Sequence, residues 1–348
     1  MVKHLQTMMI IVSCLLASCS KPPPGPGNGT EKKDTLSAGW TMSKIDLEQF
    51  TNIRIVQNKG IAVSTSAIYN SADGGVSWQK RLSYGNQALG TGYAWRRNIG
   101  MDTAGNVIIP QGYGNRGGGI SSLVISHDFY NFSVVPDIRL INDSWFWSNN
   151  NGYAISANDQ DTNIHFFKTV NGGTSWTDLG VIPRKPIITN VGMTHLAFVN
   201  SQVGWASTPY GVYKTINGGL DWTFQHGPSG IISHISAVDA NTCFIKYFSN
   251  QGFNTVDRIG KTTDGGANWQ EVFNETSRNG VEAIWFVSAS TGYMTRGNGI
   301  YKSTDGGSSW NKVVAINSSQ CGFMDIFFTD ANHGWACSVG GQIVRFVQ

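Results

Sequence analysis

An eight-residue motif that occurs five times constrains the fold of this chain more than any other feature. We call it the box: Ser or Thr, any residue, Asp or Asn, two glycines, two variable residues and Trp. The copies are residues 71–78, 169–176, 215–222, 262–269 and 303–310. Asp-Gly and Asn-Gly pairs favour tight hairpin turns, because both central residues need positive φ angles. The box therefore predicts a β-protein in which one hairpin is repeated.

We expect the box to stabilise its hairpin and not to carry chemistry. The carboxylate or amide oxygen and the hydroxyl can accept hydrogen bonds from backbone N–H groups of the turn. The Trp then leads into the next strand and buries its ring beside the turn. A calcium-binding or catalytic role for the repeated Asp is the less favoured alternative. The residues given this structural role are Asp73, Trp78, Asn171, Trp176, Asn217, Trp222, Asp264, Trp269, Asp305 and Trp310.

The spacing of the box tryptophans predicts a propeller. The last four are separated by 46, 47 and 41 residues, whereas 98 residues separate the first two. The long step indicates a degenerate copy, which we place at residues 126–132, where the sequence is Ser-His-Asp-Phe-Tyr-Asn-Phe. A period of about 40 to 50 residues with several short strands per unit is typical of propeller blades.

The whole repeat resembles that of a known family. Besides the box, the units share a Gly-aromatic pair, such as Gly204-Trp205, and a run such as Tyr213-Lys214-Thr215 directly before the turn. The box is similar to the Asp-box, or BNR repeat, of sialidases and many other propellers. The full unit most resembles the photosystem II stability and assembly factor family, over roughly residues 39–348. The resemblance implies the fold and leaves the activity open, since Asp-box propellers carry unrelated functions.

We predict an all-β chain that forms a seven-bladed β-propeller of four-stranded blades, with six blades as the fallback. Six units run from about Ile53 to Val314, and a seventh begins at Met324 but ends after three strands. Residues 39–45, which precede the first unit, can supply the missing fourth strand. Joining the two termini in one sheet would close the ring and remove exposed strand edges.

The amino-terminal region predicts an exported, lipid-anchored protein. Residues 1–18 combine a short basic segment with an apolar core too short to span a bilayer, which is typical of a signal peptide. The sequence Leu-Ala-Ser-Cys at residues 16–19 resembles the bacterial lipobox, which implies acylation of Cys19; a soluble secreted protein is the alternative. Ser20 after the Cys favours the outer membrane, by the same resemblance. Residues 19–36, rich in Pro and Gly, would form a flexible tether, and residues 37–348 the propeller.

Composition gives no sign of nucleic-acid, metal or cofactor binding. Charged residues make up 14% of the chain and the formal net charge is +3, which provides no strong basic footprint for nucleic acid. Cys243 is expected to be a small buried residue, and a disulfide between Cys321 and Cys337 is the less favoured option for that pair. No CxxC or His-x-x-x-His spacing indicates a metal site, and we expect no cofactor.

A candidate binding site lies where the innermost strands begin, at one mouth of the central channel. Aligning the units on their second strands puts His195, His234, Ala283 and Asp325 at one equivalent position. Ionisable groups that converge on one axis could bind a polar ligand or peptide, although channel mouths also tolerate polar residues without binding. Two histidines would make binding sensitive to pH between about 5 and 8. The candidate set is Trp95, Arg97, Trp145, His195, His234, Glu282 and Asp325, with the loops around Arg116 and Arg184 as the next choice.

Two functions fit these features. The first is a non-catalytic envelope lipoprotein, attached to the membrane through Cys19, that serves as a binding or assembly scaffold for an envelope protein or glycan. The second is a sialidase-like or other glycoside hydrolase. The sialidase resemblance is incomplete, because Arg54-Ile55-Val56 lacks the Pro of that family's Arg-Ile-Pro motif. No nucleophile, base and orienting residue can be named together, so we favour the scaffold. Two carboxylates about 5 to 9 Å apart at the channel mouth would favour the hydrolase.

Overall fold

The computed structural model describes residues 34–45, 48–83, 99–111, 122–136, 141–157, 164–182, 194–208, 211–251, 254–277, 280–317 and 322–348. Within these ranges the chain forms 29 β-strands and no helix. None of the described segments is therefore a helix that could cross a membrane. The strands form seven sheets in which all neighbours are antiparallel. This confirms the all-β propeller of seven blades.

The chain begins with two strands that join the last blades of the ring, β1 (Thr35–Leu36) and β2 (Trp40–Lys44). Blade 1 contains β3 (Phe50–Val56), β4 (Lys59–Ser64), β5 (Ala67–Ser71) and β6 (Gln79–Ser83). Blade 2 contains β7 (Gly100–Met101), β8 (Val107–Gln111), β9 (Ser122–Ser126) and β10 (Ser133–Pro136). Blade 3 contains β11 (Ile141–Ser148), β12 (Asn151–Ala157), β13 (Ile164–Thr169) and β14 (Thr177–Ile182).

The remaining blades follow the same order, with the first strand innermost. Blade 4 contains β15 (His195–Phe198), β16 (Gly204–Thr208), β17 (Gly211–Thr215) and β18 (Thr223–His226). Blade 5 contains β19 (Ile231–Ala237), β20 (Cys243–Gln251), β21 (Asn254–Thr262) and β22 (Gln270–Ser277). Blade 6 contains β23 (Val281–Phe286), β24 (Gly292–Arg296), β25 (Gly299–Ser303) and β26 (Asn311–Ala315). Blade 7 contains β27 (Phe323–Asp330), β28 (His333–Ser338) and β29 (Gln342–Val347), and each box joins the third strand of its blade to the fourth.

The amino-terminal strands close the ring at two places. β2 pairs with β29 from Trp40 opposite Phe346 to Lys44 opposite Gln342, and so supplies the missing fourth strand of blade 7, as predicted. β1 adds a fifth strand to blade 6, where Thr35 lies opposite Ala315. The last two residues of the predicted tether are therefore part of a sheet. No sequence pattern predicted this strand, because two residues are too few to show periodicity.

Glu48 anchors the chain where it passes from blade 7 to blade 1. Its carboxylate accepts hydrogen bonds from the hydroxyls of Ser64 (2.5 Å), Ser66 (2.8 Å) and Tyr69 (2.5 Å), and lies 3.0 Å from Nζ of Lys80. Burial alone would raise the pKa of Glu48, but these partners hold that pKa below its usual value. A buried carboxylate with this many donors fixes the crossing segment in place.

The hydrophobic core lies between blades and not at the centre of the ring. Seven clusters of buried apolar side chains each join two sequential blades, and one of them joins blade 7 to blade 1 through Trp335, Ile343, Phe50 and Ile53. Because every interface is filled in this way, the blades form a closed circle. Cys243 lies at the register of Gly204, opposite the first box residue, and is fully buried as expected.

Each box is held by the hydrogen bonds that its residues predict. In blade 6, the Oδ1 atom of Asp305 accepts bonds from the backbone N–H groups of Ser308 (3.0 Å) and Ser309 (2.9 Å). The Ser303 hydroxyl donates to the same carboxylate and accepts from Gly307 N–H at 2.8 Å. Bonds from Ser309 lower the pKa of Asp305 from its usual 3.8 to about 2. The degenerate copy keeps this pattern, because Asp128 accepts from the N–H groups of Tyr130 and Asn131.

The burial of the box tryptophans is less complete than expected. Only Trp222 is buried, at 8% exposure, and the other four rings are half-buried. Each ring packs against the interface with the preceding blade; Trp310, for example, contacts Phe286 and Phe273 edge-on. The rings lie at the rim of each interface, where one edge remains open to solvent.

Candidate functional site

The box turns define one face of the propeller. In the five blades with a complete box, the N–H of the first box glycine donates to a carbonyl in the turn between the first and second strands of the same blade. These bonds are 2.7 to 2.9 Å long and run from Gly74, Gly172, Gly218, Gly265 and Gly306. Both kinds of turn thus share one face, and the innermost strands begin on the opposite face. The predicted channel mouth is on that opposite face, away from the boxes.

The strand register places three of the candidate residues, together with Ala283 of blade 6, at equivalent points of their blades. His195 lies opposite Ser207, His234 opposite Lys246, Ala283 opposite Thr295 and Asp325 opposite Cys337. Each of these four partner residues lies two positions after the aromatic residue of the second strand of its blade. In blades 5, 6 and 7 a bulge directly precedes the position, and in blade 6 the bulged residue is Glu282. Glu282 is therefore next to the shared position but faces differently from Ala283.

His195 and His234 are in contact across the interface of blades 4 and 5. Their imidazole rings stack with centroids 5.8 Å apart and planes 15° apart. His195 is 6% exposed, and its Nδ1 atom lies 3.8 Å from Oδ2 of Asp143. His234 is half-buried, with Nδ1 3.3 Å from the Ser233 hydroxyl. The two histidines thus form a stacked pair with one edge open at the channel mouth.

The inner-strand aspartates connect one blade to the next. Asp325 in blade 7 accepts the backbone N–H of Ile53 in blade 1 at 3.0 Å, and also bonds Nη1 of Arg54 at 2.9 Å. Asp143 in blade 3 accepts the N–H of Leu196 in blade 4 at 2.8 Å. Both carboxylates are buried. Asp325, which the sequence placed in the binding site, is thus engaged in an interblade contact.

Several aromatic side chains and Arg54 lie on the innermost strands, beside the shared position. The Arg54 guanidinium carbon lies 5.0 Å from the Phe327 ring centroid and 5.9 Å from that of Trp285. On the far side of the ring, Trp145 stacks on Phe198 with centroids 5.3 Å apart. Trp145 is half-buried. Because Arg54 is held by Asp325 on one side and by two rings on the other, its charge is fixed in place.

Blade 5 forms a wall beside the histidine pair. β20 and β21 have nine residues each, whereas β16 and β17 of blade 4 have five. The hairpin between them is on the mouth face, and four extra residues extend it by about 13 Å. On the wall, the Tyr247 hydroxyl donates to Glu271 at 2.7 Å. Burial, together with this bond, raises the pKa of Tyr247 well above its usual range.

A buried ion pair supports the base of the wall. Nζ of Lys246 lies 3.0 Å from Oδ1 of Asp257, and both side chains are buried. Oδ2 of Asp257 accepts the backbone N–H of Val281 in blade 6 at 3.0 Å. Sequence reasoning missed Lys246, Asp257, Asp143 and Arg54. Alignment of the repeats could have identified Asp143, because it occupies the same position in blade 3 as Asp325 does in blade 7.

Several candidates lie outside the described residues. These are Trp95 and Arg97 of the mouth, the alternative positions Arg116 and Arg184, the lipid-anchor residue Cys19, and Cys321 of the less favoured disulfide. Cys337 is described and is buried. Among the described residues, no group of three or more His, Cys, Asp or Glu side chains could hold a metal ion.

Comparison with known proteins shows the fold. No protein-family model matches the chain, and no curated protein matches it. Among solved structures, it is similar to YCF48 from Cyanidioschyzon merolae, at 17% identity and a TM-score of 0.66, over 89% of this chain and 99% of that one. YCF48 bound to D1 peptide gives 16% identity and a TM-score of 0.62, over 90% and 100% of the two chains.

Enzymes share the same architecture. Virginiamycin B lyase from Staphylococcus aureus matches at 11% identity with a TM-score of 0.63, over 89% of this chain and 99% of that one. The GH74 xyloglucanase from Xanthomonas campestris matches at 11% identity with a TM-score of 0.60, over 87% of this chain but only 53% of that one. At these identities the likeness extends to the fold alone, so function has to be argued from the residues.

Proposed function

We propose that this protein is a non-catalytic scaffold of the bacterial envelope, anchored through Cys19, that binds a segment of a partner protein at the channel mouth. The observation that carries the proposal is the stacked pair of His195 and His234 beside the raised wall of blade 5. A mouth that carries polar side chains and has a wall on one side suits an extended chain segment. The solved complex of YCF48 with a peptide is a precedent for peptide binding on this fold.

The described residues of the mouth favour binding over catalysis. Asp143 and Asp325 are the carboxylates closest to the shared inner-strand position, and both accept backbone N–H groups of the next blade. A carboxylate in that role is already occupied by its donors, so it is a poor general base or nucleophile. The glycoside-hydrolase alternative would need a carboxylate pair with a different arrangement.

The lipid anchor and the outer-membrane location remain part of the proposal. They rest on the Leu-Ala-Ser-Cys sequence at residues 16–19 and on the segment between Cys19 and Asp34, where the described chain begins. Asp34 accepts a hydrogen bond from the backbone N–H of Asn317, so the tether ends at the outer edge of blade 6. An anchor at that edge leaves the channel mouth accessible.

Site-specific photo-crosslinking tests the proposal. A photoreactive amino acid replaces His234 in one variant and His333 in a matched control, since His333 lies in the first turn of blade 7 on the opposite face. We expect one discrete crosslinked partner from the His234 position in intact cells and none from the His333 position. In a pull-down without crosslinking, the double variant His195→Ala with His234→Ala should lose that partner while its melting temperature stays above the growth temperature. Equal crosslinking from both positions, or capture unaffected by the double variant, would contradict the proposal.

A further inference from the structure

A pocket of about 220 Å³ lies on the outer surface between blades 1 and 2, far from the channel mouth. It is lined by Asn70, Ala72, Asp73, Ser77, Gln79, Arg81 and Tyr130. We propose that this pocket binds a carboxylate group through Arg81. The proposal rests on three departures from the repeat that meet in this one place.

The first departure is Arg81 itself. It is the third residue after the box Trp, and blades 3 to 6 have Leu179, Gln225, Val272 and Val313 there. In blades 4 and 5 the side chain packs on the next box, because a Cβ on Gly266 would lie 2.4 Å from the Gln225 side chain and one on Gly307 would lie 3.3 Å from that of Val272. Arg81 makes the corresponding contact with the degenerate box, because its guanidinium carbon lies 5.2 Å from the Tyr130 ring centroid. A charged group thus replaces an uncharged packing residue.

The second departure is Asn70, the residue directly before the box of blade 1. Blades 3 to 6 have Lys at this position. Asn70 is buried, donates to the Phe129 carbonyl at 3.0 Å and accepts from Nε of Arg81 at 2.8 Å. Gln79 accepts a second bond from Nη2 of Arg81 at 2.7 Å. Asn70 and Gln79 therefore fix the plane of the guanidinium.

The third departure is the turn of blade 2. Phe129 stands where the other boxes have their glycines and adopts a φ angle of 71°. Bulky residues rarely have positive φ angles, and such strain concentrates at functional sites. The conformation buries Phe129 completely and leaves Tyr130 46% exposed beside Arg81.

These features suit a carboxylate ligand. Two of the five N–H donors of Arg81 are bonded to described residues, and Arg81 is exposed, so three donors can meet a planar anion. Arg and Tyr are also the residue types that dominate binding energy at protein interfaces. Asp73 lines the same pocket, and repulsion from its carboxylate should weaken the binding of an anion. Hydrogen bonds from Ser77 and Ser71 satisfy its carboxylate, so Asp73 shapes the turn and opposes the ligand.

Arginine Nε resonances in a ¹H–¹⁵N NMR titration of the folded protein test the inference. The probes are glutarate, the peptide acetyl-Gly-Glu-Gly-amide and its Gln counterpart. We expect a saturable shift of the Arg81 resonance with a carboxylate probe and none with the Gln peptide. Saturation by glutarate would indicate a small organic acid, and saturation by the Glu peptide alone would indicate an acidic protein segment.

Three variants distinguish this site from general charge effects. Arg81→Lys keeps the charge but loses the paired donors, and should weaken binding about tenfold. Asp73→Asn should strengthen it about three- to fivefold, since one unit charge about 4 Å away is worth about 1 kcal/mol in water. Asn already occupies this position in the boxes of blades 3 and 4, so the turn should fold. The matched control is Arg296→Lys, because the guanidinium of Arg296 already pairs with Glu275. Binding unchanged by Arg81→Lys, or no saturable shift with either carboxylate, would overturn the inference.

Discussion

Closure of the ring depends on Trp40, and Trp40→Ala is the sharpest test of the fold. Trp40 begins β2 and is 6% exposed. Its ring packs against Phe346 with centroids 5.1 Å apart, and edge-on against Tyr293 and Phe328 at 6.3 Å each. It thus joins the closing strand to β29, β27 and the neighbouring blade 6.

The expected loss in stability is about 3–5 kcal/mol. Truncation of a buried Trp to Ala costs that much in general. Three aromatic contacts, each worth about 0.5–1.5 kcal/mol beyond buried area, favour the upper half of the range. The loss cannot exceed the free energy that docks β2, because beyond that point the strand would detach. With an unfolding entropy of about 2.1 cal/mol/K per residue, a propeller of about 312 residues shifts by about 1.5 °C per kcal/mol, so the melting temperature should fall by about 5–8 °C.

Chemical denaturation together with limited proteolysis measures both outcomes. The matched control is Thr41→Ala, because Thr41 is the next residue of β2 and is exposed; it should change stability by less than about 0.5 kcal/mol. We also expect Trp40→Ala to make residues 34–45 sensitive to protease before global unfolding. A loss below 1 kcal/mol, or one equal to that of Thr41→Ala, would refute the role of Trp40 in closure.

Three further predictions follow from the same structure. Replacing the three box aspartates, Asp73, Asp264 and Asp305, by Asn should flatten the acid dependence of stability. Their pKa falls from 3.8 to about 2 on folding, so their contribution to the free energy of unfolding is present above pH 4 and is lost between pH 4 and 2. A melting temperature that falls with pH as steeply as that of the wild type would contradict this. Deleting residues 20–33 should leave the melting temperature unchanged, whereas deleting residues 20–44 should expose β29 and cause aggregation; equal solubility of the two would argue against closure. Cys19→Ser should release the protein from the membrane fraction or block its processing, and wild-type protein that carries no lipid by mass spectrometry would refute the anchor.

The sequence was sufficient to predict the ring because each blade repeats the same local signals. The box predicted the third and fourth strands of five blades, and the count of three strands in the seventh unit indicated that residues 39–45 complete blade 7. The stacking of His195 on His234 also follows from repetition, since equivalent positions of sequential blades must be neighbours.

The partners of these positions could not be predicted. Asp325 accepts the N–H of Ile53, a residue 272 positions away, and which group it meets depends on the twist of two sheets and on a bulge before Asp325. Sequence spacing contains no information on either. The same limit explains why β1 was assigned to the tether, because its two residues gain their role only from the exposed edge of β26.

The two faces of the propeller are stabilised in different ways, and this difference allows one face to diverge. On the box face, Lys214 of blade 4 donates to the carbonyls of Ala240 and Gly265 in blade 5, and Lys261 of blade 5 donates to that of Ala289 in blade 6. A backbone carbonyl is present whatever the side chain, so these interblade contacts tolerate substitution of the acceptor residue. On the mouth face, the interblade contacts of the described residues include buried aspartates that accept backbone N–H groups of the next blade. Positions of the mouth outside these contacts can change without loss of the ring, and similar rings occur in YCF48, a lyase and a xyloglucanase at 11–17% identity to this chain.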